Sequence, residues 1–257
     1  MRPVTATVLA ALCMAGLPFG AVGQSPSAAD LDRKARIEAT AAVPTQAQLD
    51  RKARSIARLQ AEGVPTVAHL PAISSEADSL RRTTDAVAQR AIGLMIHAVL
   101  GETGDQELIA NLLDQFDAHD FLTPAERALL DVDPLSQRQR TDAAWRYEGV
   151  EVLLWAVGLL DDLSPADTIT DVPALATLFR EEGTEGVLAR ARLRPQSEIL
   201  DAADYVYRLH WAVTEARLNG TPSPDNVDPS VVYERHYALN WLIGYAGLSW
   251  DNMATDT

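Results

Sequence analysis

Between Asp85 and Tyr245 the apolar residues recur every three or four positions, and no stretch shows the sustained period-two alternation of a half-buried strand. That pattern restricts the chain to helices packed on helices. Asp85 to Leu100 carries Val87, Ala91, Leu94, Met95, Ala98 and Val99 on one stripe, with Gly101 as the expected stop. Asp105 to Phe116 repeats the pattern with Leu108, Ile109, Leu112 and Leu113. Thr123-Pro124-Ala125-Glu126 joins an N-cap, a proline at the first helical position and a capping-box glutamate, and opens a short helix to Leu130. Ser136 to Leu163 is the longest helical run and is apolar on nearly every side between Val150 and Leu160, which predicts a long central helix surrounded by others. Further helices are expected at Val172 to Glu182, Thr184 to Arg192, Ser197 to Asn219 and Ser230 to Tyr245. The expected fold is all-α, a single-domain bundle of about eight helices joined by short loops.

The N-terminus reads as an address. Met1-Arg2-Pro3 is a short positive region, Val4 to Phe19 is apolar, and Ala21-Val22-Gly23 before Gln24 fits a cleavage site, so residues 1–23 are expected to be a secretory signal peptide. The apolar core is too short for a membrane span and Pro18 interrupts it; no stable span is expected after cleavage. Export to the periplasm or the extracellular space follows. Around Cys13 the order Ala10, Leu12 is the reverse of a lipoprotein signal, and cleavage after Gly23 would remove this single cysteine. Folding then rests on burial alone. A formal charge of -14 repels phosphate backbones and argues against general nucleic-acid binding.

Residues 24–45, rich in Ala, Ser, Gln, Pro and Thr, are expected to be a flexible tether, with the all-α domain at residues 46–257. Leu31-Asp32-Arg33-Lys34-Ala35-Arg36 recurs unchanged as Leu49-Asp50-Arg51-Lys52-Ala53-Arg54, a short duplication that holds both lysines of the chain. Only the second copy continues into an apolar pattern, Ile56 and Leu59, before Gly63 stops it. Pro65 and Pro71 then impose an extended loop.

Four segments of the C-terminal half carry a resemblance. They are Trp145-Arg146-Tyr147-Glu148 with Leu153-Leu154-Trp155-Ala156; Tyr207-Arg208-Leu209-His210-Trp211-Ala212; the run from Val232-Tyr233-Glu234-Arg235-His236-Tyr237 through Ala238-Leu239-Asn240-Trp241-Leu242-Ile243-Gly244; and Trp250-Asp251. In this order they resemble the family catalogued as domain of unknown function 4272, over residues 50 to 257. The resemblance implies no particular reaction, cofactor or catalytic residue. The leader, the tether and the Leu31 to Arg36 copy lie outside it.

Function must be sought in residues that break the apolar pattern. Trp145, Glu148, Val152, Trp155 and Leu159 share a stripe, so the Glu148 carboxylate faces inward and needs a partner. His210 shares a face with Ile199, Ala203, Val206 and Val213; Arg235 shares one with Val231, Ala238 and Leu242 and is a candidate counter-ion for Glu148. With Arg146, Arg208, Trp211, Glu234, His236, Asn240 and Trp241, these residues admit two readings. They line a polar pocket with tryptophan walls, or they form an internal ion-pair network that fixes helix packing. No cofactor is expected. The five histidines are never three or four apart and the acidic clusters lack the calcium-loop pattern, so no metal site is expected either. Phosphate-binding and serine-nucleophile motifs are absent. A binding or interaction protein for an unknown protein or small molecule fits this sequence. The alternative is a hydrolase-like enzyme using Glu148 and His210 for acid/base work.

Overall fold

The computed structural model describes residues 43–257. The leader, Cys13, the Leu31 to Arg36 copy and all but the end of the tether lie outside the described residues. Nine α-helices and no strand occur among them: α1 Gln46–Ala61, α2 Thr84–Thr103, α3 Gln106–Gln115, α4 Pro124–Leu130, α5 Gln137–Ala144, α6 Tyr147–Ala156, α7 Val172–Arg190, α8 Gln196–Leu218 and α9 Pro229–Ile243. The fold is all-α, as the periodicity requires. Short 3-10 turns at His119–Phe121, Tyr245–Gly247 and Trp250–Asn252 complete it.

Neighbouring helices form a sequence through the molecule: α1 lies on α8, α8 on α9, α9 on α6 and α6 on α2, and α2 also carries α3, α5 and α7. α6 is the innermost element, and all ten of its residues are buried. Its neighbours supply Leu94, Ile92, Leu100, Leu239 and Leu242, each at most 1% exposed, so the core is continuous across these helices.

Local sequence sets most of the boundaries. Thr45 caps α1, with the Gln48 side chain returning to its backbone, and Thr123 and Glu126 form the same reciprocal box at α4. Pro124, Pro229 and the proline within the first turn of α7 sit where a helix lacks a use for the amide hydrogen.

Two expectations require correction. The run Ser136 to Leu163 is two helices, because Arg146 and Glu148 donate to carbonyls three residues back, at Ala143 and Trp145, which bends the chain between α5 and α6. α6 then ends at Ala156, whose carbonyl accepts from Arg194 while that of Val157 accepts from Arg192, so residues 157–171 run as an irregular wrap. α2 does not stop at Gly101. That glycine lies in a close crossing, where an added Cβ would meet the Ala144 nitrogen at 2.4 Å, and the helix ends at Gly104 instead. The two helices expected on either side of Gly183 are both present within α7, separated at Gly183, whose φ of 59° and ψ of -174° are not helical.

Candidate functional site

The inward-facing ionisable residues fall into separate clusters. In the first, Arg235 of α9 meets two carboxylates of α6: its Nε and Nη2 each lie 3.0 Å from Glu148 Oε2, and Nη2 lies 2.9 Å from Glu151 Oε2. All three side chains are at most 5% exposed. The wrap supplies the remaining partners. Thr170 N–H donates to Glu148 Oε1 at 2.7 Å, Ser164 N–H donates to Glu151 Oε1 at 2.9 Å, and Arg235 donates to the carbonyls of Ser164, Pro165 and Thr168. Burial raises the Glu148 carboxyl above its ordinary value, and the charge of Arg235 and the Thr170 bond oppose that shift.

A second cluster joins Arg146 to Glu234 at 2.8 Å, with the guanidinium 4.2 Å over the Tyr237 ring. Burial raises the Glu234 carboxyl, against the attraction of Arg146. The third is a histidine pair. His210 Nδ1 and His236 Nδ1 are 2.8 Å apart, the rings meeting edge to face between Tyr207 and Tyr233. Burial lowers both histidines, His210 to about 4 and His236 well below its ordinary value. A neutral pair shares one proton along this contact. Asn240 then donates to the Ala254 carbonyl at 2.8 Å, tying the C-terminal segment to α9. In the fourth cluster, Arg208 grips Asp204 one turn away, both at most 2% exposed.

His210 therefore pairs with His236 while Glu148 pairs with Arg235, and no contact joins the two pairs. The tryptophans form no common wall. Trp155 packs beneath Arg194, Trp241 packs edge to face on Trp250 under Arg82, Trp211 lines a 400 Å³ hollow beside residues 221–225, and Trp145 is half-buried at the α5–α6 bend. Sequence reasoning missed Glu151, Asp204, the buried Arg90–Glu126 pair at 2.8 Å and Arg51. Glu151 left one signal, a carboxylate inside an otherwise apolar run. Asp204 left another, its place four residues before Arg208.

One cleft of about 910 Å³ reaches the first cluster from solvent. Its lining comes from α1, α8, the wrap and the start of α9, and includes Arg51, Arg54, Arg58, Arg194 and Arg235, with Trp155 and Tyr205. Arg51 Nε and Arg54 Nη2 both reach Asp201 Oδ1, at 2.9 and 2.8 Å. Arg58 meets Glu62 at 2.9 Å and lies 4.0 Å over the Tyr205 ring, whose hydroxyl donates to Glu62 at 2.6 Å. Arg51 is 4% exposed and its Nη1 has no partner. Such a cavity, with aromatic faces and converging charged donors, is chemically suited to holding a small polar molecule. Among the described residues no three His, Cys, Asp or Glu side chains are placed to hold a metal ion, and no helix is long and apolar enough to cross a membrane.

The sequence model of a family described as a domain of unknown function (DUF4272) matches residues 51–253. No curated protein and no solved structure matches the chain.

Proposed function

We propose, for a chain that belongs to the domain of unknown function 4272 family, the role of an exported binding protein that takes a small molecule into the cleft between α1, α8 and the 157–171 wrap. The observation that carries this reading is the cleft itself. Its 910 Å³ lies within the range of small-ligand sites, and it combines two aromatic faces with charged side chains drawn from four separate parts of the chain. Its floor is stiff: Arg235, Glu148, Glu151 and the wrap carbonyls hold one another, so the lining is organised before a ligand arrives. Export is supported by the signal-like residues 1–23, and the product would begin at Gln24.

The acid/base enzyme reading has less support. Glu148 is 1% exposed and occupied on both oxygens, and His210 belongs to a different contact. Neither is poised beside the other to pass a proton to a bound molecule.

A blocking variant tests the binding role. Ala202 lines the cleft and is half-buried, so Ala202→Trp places a ring in that space from a helix surface, with circular dichroism checking that the fold is kept. A thermal-shift screen of small molecules should find compounds that raise the Tm of the wild type by about 5–10 °C at a hundredfold excess over Kd, and leave Ala202→Trp unmoved. A screen in which every stabilising compound acts equally on both proteins would overturn the cleft as the binding site.

A further inference from the structure

We propose that the ligand of this cleft carries one oxyanion head, a carboxylate or a phosphate, which docks on the Arg51, Arg54 and Arg58 stripe of α1; this rests on the binding reading above. The three arginines are spaced by three and four residues and so share one helix face, and all three line the cleft. Their counter-ions are two: Asp201, shared by Arg51 and Arg54, and Glu62, paired with Arg58. The stripe thus has one positive charge more than its partners neutralise.

The donors point the same way. Arg54 uses only Nη2 on Asp201, and Arg58 uses only Nε on Glu62, while the two side chains are 60% and 63% exposed. Arg51 commits Nε to Asp201 and keeps a buried Nη1 without an acceptor. A buried guanidinium N–H left unpaired is unfavourable, whereas the exposed Arg54 and Arg58 nitrogens are open to a ligand oxygen entering beside Asp201. Planar oxyanions match the guanidinium fork in a way that a neutral hydroxyl does not. Beside the stripe, the Tyr205 and Trp155 rings line the cleft, each with a guanidinium over one face, and give it apolar edges for an organic body.

The far rim restricts the charge. Asp161, Asp162 and Asp167 line the cleft from the wrap, so a molecule with several negative groups is repelled there. A single anionic head on a compact, largely apolar body satisfies both walls.

The test uses four probes with one ring and different heads: phenylacetate, phenyl phosphate, benzyl alcohol and benzylamine. Binding is read by calorimetry on the full exported chain, with wild type, Ala202→Trp and the double variant Arg54→Gln/Arg58→Gln. Both substituted arginines are exposed, so the double variant retains the fold, checked by circular dichroism. At least one of the two anions should bind tenfold or more tightly than benzyl alcohol, with a tenfold or greater loss in the double variant; the tighter anion identifies the head. Equal affinity for alcohol and anion, unaffected by the arginine changes yet lost in Ala202→Trp, overturns the oxyanion assignment and leaves the cleft reading intact. Tighter binding of benzylamine does the same. Failure of all four probes to bind the wild type overturns the assignment, while a hit among other compounds that Ala202→Trp abolishes still separates it from the cleft reading.

Discussion

Arg235 holds two buried carboxylates with a single positive charge, and that imbalance makes the three residues unequal to mutation. Arg235→Met would leave Glu148 and Glu151 facing each other without a cation and should destabilise by about 3–5 kcal/mol, measured by urea unfolding at pH 7. Glu148→Gln removes the surplus charge and keeps an oxygen for the Thr170 N–H, but turns its NH2 toward the Arg235 Nε and Nη2 donors, and should destabilise by about 1–3 kcal/mol, less than Arg235→Met. The pH dependence has a definite sign. Because burial raises the folded Glu148 carboxyl above 4.5, the folded state binds the proton more tightly, and the resulting stability is present below 4.5 and fades as pH rises through the folded value. Glu148→Gln should lack that contribution. The His210–His236 pair has the opposite sign: with His210 lowered to about 4, its neutral form stabilises the fold above 6.5, and this is lost as pH falls from 6.5 toward 4. The loss from His210 amounts to about 3 kcal/mol at most, and His210→Gln should flatten the stability curve in that window. The inward phase of Glu148, His210 and Arg235 was legible from helical spacing. Which inward residue met which was not, because spacing along one helix says nothing about the rotation of its neighbour.

Gly101 carries the tightest helix–helix approach described above, since an added Cβ would lie 2.4 Å from the Ala144 nitrogen and 2.6 Å from the Arg140 carbonyl oxygen. Both obstacles are backbone, so α5 itself must move, and Arg140, which donates from Nε to the Gly101 carbonyl at 3.1 Å, moves with it. Gly101→Ala should therefore destabilise by about 1–3 kcal/mol despite the better helix propensity of alanine, read as a lowered urea midpoint with an unchanged slope. The sequence misled at two elements, for two different reasons. A glycine after an apolar stripe reads as a stop, and here it is a contact that lets α2 continue to Thr103. An unbroken apolar run from Val150 to Leu160 reads as one long helix, yet its last residues leave the helix because the Ala156 and Val157 carbonyls are claimed by Arg194 and Arg192 from beyond α7. Caps were more legible than interiors. Thr45 and Thr123 act through bonds spanning three residues, which a sequence displays in full.

At the scale of the whole molecule, the described residues form one compact unit, and α1 is attached to it by contacts distant in sequence. Arg51 and Arg54 hold Asp201, Lys52 donates to the carbonyls of Ala68 and Leu70 at 2.6 Å each, and Leu59 is fully buried. Here the second copy of the duplicated hexapeptide performs structural work that its composition alone would assign to a solvated, basic helix start. The bundle around it should not need the preceding residues. A chain beginning at Val43 keeps Thr45, the bond it accepts from the Gln48 backbone N–H and the bond its own N–H donates to the Gln48 side-chain oxygen, and should melt within about 1 °C of a chain beginning at Gln24. A chain beginning at Gln46 loses the cap and places a positive α-amino group at the positive end of α1. That change costs about 1–2 kcal/mol and should lower the Tm by about 2–8 °C. Scanning calorimetry on the two truncations decides the matter, because equal melting temperatures would mean that α1 frays freely and that the Asp201 and Lys52 contacts, and with them the arginine wall of the cleft, contribute nothing to the cooperative unit.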